Sequence, residues 1–321
     1  MDAMRFLRGV RDLLLTAAVN AVSAPPTTFF YGGQAVIEGV LMRGRRHYAV
    51  AARRPDGEIA ILSDALKSRV YTSRAWSLPF MRGVAGLVEM IHLGMRSLQW
   101  SAGVQLGEDA EIPPGVMRVA MVVSVVFGLG LFIGAPLGIT ALLHRAPVRS
   151  VTGVLLEGAV RAVILIAYLL MIGQVRSVRR LFHYHGAEHK AINCLEQGGP
   201  VDVSHVRPAS RLHPRCGTGF LLVVAFVSVI VFAPLGLLPT AVRIACQIGL
   251  VPVVAAISYE VIRALARVRH TSVGRVALAP VLATQLLSTR EPDDSQIEVA
   301  IAALDAARAD EPAVGELVAV P

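Results

Sequence analysis

Apolar residues in this chain come in long unbroken runs. Val119 to Leu143 and Gly217 to Val242 contain no charged residue, and a helix needs about 20 apolar residues to cross a bilayer core. Val151 to Val175 is equally apolar apart from Glu157 and Arg161, and Ile244 to Tyr259 continues past Glu260 to Ile262. The pattern predicts a membrane α-helical bundle of four spans over 117–262. Elsewhere the period changes. Residues 27–66 hold β-prone runs joined at Arg54-Pro55-Asp56-Gly57, where Pro and Gly supply the backbone angles of a tight turn. A small N-terminal cytoplasmic β-rich domain is expected there. Residues 78–104 are helical and amphipathic, with Arg82, Glu89, His92 and Arg96 on one stripe. They read as an interfacial helix or a fifth span, and four titratable groups favour the interface.

The termini follow the same logic. Phe6, Leu7, Val10, Leu14, Ala17 and Ala18 follow helical spacing, so residues 1–24 are expected to form an amphipathic surface helix rather than a cleaved signal. Residues 263–311 form a cytoplasmic helical region, in which Ser295 and Glu298 have the spacing of a capping box. Residues 312–321 read as a disordered tail.

Composition strengthens the membrane reading. The chain is 54% hydrophobic and 17% charged, against roughly 25% charged in soluble domains. Its mean hydropathy is +0.59. Charge then sets orientation. Arg176, Arg179, Arg180, Lys190, Arg207, Arg211 and Arg215 crowd between the second and third spans, whereas the other two connections hold only Arg145, Arg149 and Arg243. The basic segment is therefore expected inside, with both termini cytoplasmic. Anionic lipid headgroups account for a formal net charge of +8 without a nucleic acid partner. The three cysteines, Cys194, Cys216 and Cys246, have no disulfide-framework spacing.

That basic segment, read as a His/Cys-rich loop over 176–216, also carries the candidate chemistry. It contains His183, His185, His189, His205 and His213, together with Cys194, Cys216, Glu188 and Glu196. His185-Gly-Ala-Glu188-His189 has the H-x-x-E-H spacing of inverted zincins. If this stretch is helical, the two imidazoles share a face and can grip one zinc ion, and Glu188 can deprotonate a water there. His213 or Cys216, at the threshold of the third span, would complete the shell. The bland alternative is that such a cluster binds phosphate headgroups or caps helix ends, with His183 and His205 solvated.

Further polar candidates lie apart. Glu157 and Arg161, spaced i,i+4 inside a span, are expected to pair with each other, since an ionisable residue there costs about 2.5–3.5 kcal/mol. Glu260 could face the His/Cys cluster or snorkel outward. Gln34, Glu38 and Arg43, among paired glycines, could serve a ligand, and Arg215 adjoins Cys216.

"GGQAVIEGVLMRG", "FHYHGAEHK", "HPRCGTGFL" and "TREPDDSQIEVAIAAL", in that order, resemble the YqhQ-like family of bacterial polytopic membrane proteins. The similarity runs from about Tyr31 to Leu304. It implies a multi-pass protein of the bacterial cytoplasmic (inner) membrane, sometimes labelled a metal-dependent enzyme on these same His, Glu and Cys residues. Position 219 is Gly where the family leads one to expect Ser. Two functions compete. One is a metal-dependent hydrolase at the cytoplasmic membrane face. The other is a non-catalytic scaffold that binds anionic lipid or a cytoplasmic partner. Transport ranks last, because four spans without a repeat lack carrier features. Four spans are also few to enclose a polar site, which makes a homo-oligomer a candidate.

Overall fold

The computed structural model describes residues 31–66, 78–107, 113–144, 150–269 and 271–309. The N-terminal amphipathic helix and the C-terminal tail foreseen above lie outside them. The chain opens with a four-stranded antiparallel meander, β1 (Gly32–Val36), β2 (Gly39–Arg43), β3 (His47–Arg53) and β4 (Ile59–Ala65). The β3–β4 turn is the Arg54–Gly57 tetrad, in which Gly57 takes φ 97° and donates its N–H to the Arg54 carbonyl at 3.0 Å.

Strand alternation gives the sheet two apolar faces. Val36, Leu41, Tyr48 and Val50 meet Leu93 of helix α1 (Met81–Leu106). Val40, Met42, Ala49 and Ala51 meet helices α5 (Arg176–Glu196) and α11 (Asp294–Ala307) through Tyr184, Ala187, Ala191, Ile297, Ala300 and Leu304. Burying each large side chain contributes about 1.5–3 kcal/mol, so the sheet is locked between helices from distant parts of the chain. Helix α1 is not among the helices apolar enough to cross a membrane. Two of its charged side chains are paired, Arg82 with Glu260 at 2.8 Å and Glu89 with Arg43 at 3.4 Å.

Three described helices are long and apolar enough to cross a membrane, Gly115–Leu143, Thr152–Ile172 and Gly217–Leu237. The first comprises α2 (Pro114–Leu129), a π-helical turn (Gly130–Gly134) and α3 (Ala135–His144). The second lies within α4 (Val151–Ile172). The third is α7 (Gly217–Phe232) with a 3-10 turn (Ala233–Leu237). It stops short of the expected Val242 because Leu238 and Pro239 turn the chain into α8 (Thr240–Gly249). A fourth crossing is possible only as a bent pair, α8 and α9 (Val251–Arg267), which meet at 49°. Pro252, in the first turn of α9, lacks the N–H that would continue α8.

Glu157 and Arg161 do pair, at 3.0 Å, inside this apolar layer. They are not alone. Arg243 and Gln247 of α8 also reach Glu157, and Arg161 donates to Ser228 at 2.8 Å and to the Phe132 carbonyl, in the π turn, at 2.7 Å. One carboxylate thus ties α8 to α4, and Arg161 ties α4 to α7 and the π turn.

Two expectations need correction. The segment 176–216 is not a loop: its first half is the 21-residue helix α5. Leu181, Tyr184, Ala187, Ala191 and Leu195 recur at helical spacing and pack on the sheet and α11, a stripe that the surrounding His, Arg and Lys obscure. The C-terminal capping box is Asp293 with Gln296, not Ser295 with Glu298. Asp293 Oδ1 accepts from the Gln296 N–H at 3.0 Å and Gln296 Oε1 accepts from the Asp293 N–H at 3.0 Å, while Glu298 is drawn to Arg53 at 2.9 Å. Asp293→Ala is therefore expected to cost about 1 kcal/mol and Ser295→Ala a few tenths. Thermal unfolding of the two variants in detergent measures the difference.

Candidate metal centre

Helix α5 carries His185 and His189 one turn apart, with ring centroids 4.4 Å from each other. After α5 the chain turns at Gly198, which takes φ 77°, and makes the four-residue helix α6 (Val203–Val206). It then runs back along α5. Lys190 Nζ donates to the Arg207 carbonyl at 2.6 Å, and Asn193 Nδ2 donates to those of Ser210 and Leu212 at 2.6 and 3.0 Å. Gln285, on helix α10 (Ser272–Ser288), clamps the His213 backbone from the other side, accepting from its N–H at 2.8 Å and donating to its carbonyl at 2.7 Å. These ties deliver Cys216, the N-cap of α7, to the two imidazoles.

His185, His189 and Cys216 each offer a ligand atom, and the three atoms lie within 4.8 Å of one another. Cys216 Sγ is 3.2 Å from His185 Nε2. Both rings are oriented from behind. Nδ1 of His185 lies 2.8 Å from the Ser288 carbonyl, and Nδ1 of His189 lies 2.7 Å from the Arg211 carbonyl. A carbonyl can only accept, so each Nδ1 carries a proton and each Nε2 is the nitrogen left for a ligand. This is the outer arrangement that metal-binding histidines use. Zinc favours such thiolate and imidazole donors, and three protein ligands leave one position for water or substrate.

Electrostatics match the donor set. Burial alone would raise the Cys216 thiol, but His185 and His189 outweigh it and hold it well below its ordinary value. Burial disfavours charge on His185, yet Cys216, Glu188 and the Ser288 carbonyl raise it to about 9. A bound cation would take the place of a proton on His185 Nε2.

Glu188 sits beside the trio on the same helix, buried, and its Oε2 has no hydrogen-bond partner among the described residues. Burial raises its pKa above the ordinary carboxylate value, against the pull of His189 and His185. Gly33 of β1 makes room for it, since a Cβ there would lie 2.9 Å from the carboxyl carbon and 2.6 Å from the Leu41 carbonyl oxygen.

The other expected residues are spread out. His213 is buried, but its Nε2 turns to Glu196 at 3.7 Å and Arg215 at 3.4 Å, so it stands outside the trio. Burial and Arg215 lower its pKa to about 4. Arg215 pairs with Glu196. Nδ1 of His183 meets the Glu291 carbonyl at 2.6 Å, and Nδ1 of His205 meets the carboxylate of Asp202, the N-cap of α6, at 2.8 Å. Glu38 pairs with Arg180 at 2.6 Å and accepts from the Tyr184 hydroxyl at 3.2 Å. Gln34 packs on Gly94, Arg43 pairs with Glu89, and Glu260 pairs with Arg82 rather than facing the cluster. Gly219 also has a structural reason: a Cβ there would lie 2.5 Å from Val281 Cγ1, so serine would push α10 from α7.

Asn193, Gln285 and the carbonyls of Ser288 and Arg211 went unseen in the sequence. Backbone carbonyls leave no residue-type signal. Asn193 and Gln285 hold backbone rather than ligand, so nothing in their spacing marks them.

Gly186, inside the HxxEH pattern, lets α5 approach the Arg290 backbone so closely that a Cβ would overlap its carbonyl oxygen. Gly186→Ala is expected to destabilise the fold by about 1–3 kcal/mol. Gly199→Ala, whose Cβ would stand an ordinary 3.6 Å from Cys194 Sγ, serves as the control in the same unfolding experiment.

Comparison with known proteins gives two matches. The family described as "Protein of unknown function (DUF1385)" matches residues 78–310. The "Uncharacterized protein YqhQ" of Bacillus subtilis (strain 168) is 33% identical over 285 residues, covering 84% of this chain and 90% of the relative. No solved structure matches.

Proposed function

The chain belongs to the DUF1385 (YqhQ-like) family, and we propose that this member is a membrane-embedded, zinc-dependent hydrolase. The observation that carries the reading is the convergence of His185, His189 and Cys216 with both imidazoles locked by backbone carbonyls and a buried carboxyl beside them. Zinc held there supplies a Lewis acid for a scissile carbonyl and lowers the pKa of water. Glu188, displaced from bulk solvent and with a free oxygen, takes the proton of the attacking water and returns it to the leaving amine or alkoxide. Thr218, 3.1 Å from Cys216 Sγ and 2.8 Å from the Ser288 hydroxyl, keeps the thiolate aligned.

The location follows from the flanking helices. Cys216 stands one residue before an apolar helix long enough to cross a bilayer, and α5 begins four residues after the end of another. The basic residues of this region favour the cytoplasmic side of a bacterial inner membrane. A substrate would then meet the site at the membrane surface.

Purified full-length protein is expected to carry about one zinc per chain by elemental analysis, held by three protein ligands with the fourth position open. His185→Ala, His189→Ala and Cys216→Ser should lose the metal, and His213→Gln and Cys194→Ser should keep it. Folded wild-type protein that takes up no zinc would end the proposal. Catalysis is tested separately. Glu188→Gln should keep the zinc yet fail to restore function in a strain lacking the gene; full complementation would leave a metal site without the assigned base.

A further inference from the structure

We infer that the cleft between the start of α5 and the start of α11 is a phosphate-binding site. It uses residues distinct from the proposed zinc ligands and stands whether or not those bind metal. The cleft is shallow and open to solvent, with a volume of about 350 Å³. One wall is the first two turns of α5, with Arg176, Arg179, Arg180 and His183; the other is Glu291, Asp293 and Gln296.

The charge balance of these walls is decided by which groups are already engaged. Asp293 and Gln296 are occupied as the capping box of α11. Glu291 is neutralised by Lys190 and faces Arg211 at 3.9 Å. Arg180 is paired with Glu38. Among the described residues, Arg176 and Arg179 have no carboxylate partner, and both are exposed to the cleft's solvent. Arg176 and Arg179 therefore face a space in which Glu291 is already paired and Asp293, still charged, is held by the α11 cap, so the walls keep an excess of positive charge. The N-cap of α5, Val175, offers no side-chain cap, so the helix dipole adds its positive end to theirs. Forked guanidinium donors match phosphate oxygens in bidentate geometry, as they match those of a carboxylate.

The position narrows the source. Arg176 follows Ile172, the last residue of an apolar helix long enough to cross a bilayer, by four positions. That is headgroup depth if the helix spans. A phospholipid headgroup and a free phosphate share the recognised chemistry, and the experiment separates them.

Full-length protein in phosphatidylcholine nanodiscs is titrated with inorganic phosphate, and in parallel is reconstituted with phosphatidylglycerol. Thermal unfolding reports binding in both arms, and native mass spectrometry counts the phosphatidylglycerol retained. A response to phosphatidylglycerol alone supports a lipid headgroup; a response to inorganic phosphate supports a soluble phosphoryl ligand. In either case Arg176→Ala/Arg179→Ala should weaken binding by about tenfold or more, with zinc content unchanged. Arg267→Ala/Arg275→Ala, which removes equal charge from elsewhere, should leave binding intact. No response in either arm, or the same loss in both double variants, overturns the assignment.

Discussion

Burying a helix as polar as α5 demands a partner for each polar group, because an unpaired one costs several kcal/mol. Along its buried length α5 carries His185, Glu188, His189, Lys190 and Glu196, with Asn193 half-covered. The fold meets the demand by wrapping other segments around it. Residues 207–212 supply carbonyls to Lys190, His189 and Asn193, and Ser288 supplies one to His185. Arg215 answers Glu196. The same wrapping carries Cys216 to the imidazoles, so satisfying the helix and assembling the trio are one act. Glu188 is the exception. Its Oε2 stays free, and it is the group best placed to handle a proton.

Close backbone approach is the second condition. Gly33 lets β1 lie on Glu188, and Gly186 lets the Arg290 backbone lie on α5. Larger side chains at either position would open the layer between sheet, helix and strap. The site would then fill with water, and the coupling between Cys216 and the imidazoles would weaken as the local dielectric rose. The sheet is therefore a wall of the site as well as an element of the fold.

In the apolar layer the economy is different. Glu157 is shared by Arg161, Arg243 and Gln247, and Arg161 is further bound by Ser228 and the Phe132 carbonyl. Removing one member strands the rest in a medium that cannot solvate them. This cluster fixes the short helix α8, which alone is too short to span. Reading Glu157 and Arg161 as a private i,i+4 pair captured the contact and missed the purpose.

Local periodicity was enough to announce the apolar helices, the hairpin at Arg54–Gly57 and the HxxEH pair, because each depends on neighbours within a turn or two. It misread 176–216 as a loop, since the apolar stripe of α5 is thin and set among charges. It also placed the capping box two residues late, because Ser295 and Glu298 have the right spacing, but Glu298 is claimed by Arg53 from the distant sheet.

The choice between His213 and Cys216 could not be made from spacing, since the two stand three residues apart on one segment. Tertiary contacts made it. Glu196 and Arg215 draw the His213 ring away, while Gln285 and the α7 N-terminus hold Cys216 at 3.2 Å from His185. Sequence by itself thus determined which donor residues are present and the spacing of His185, Glu188 and His189. Which donors converge was decided only by packing, because an interaction across many residues is set by the shape that brings them together.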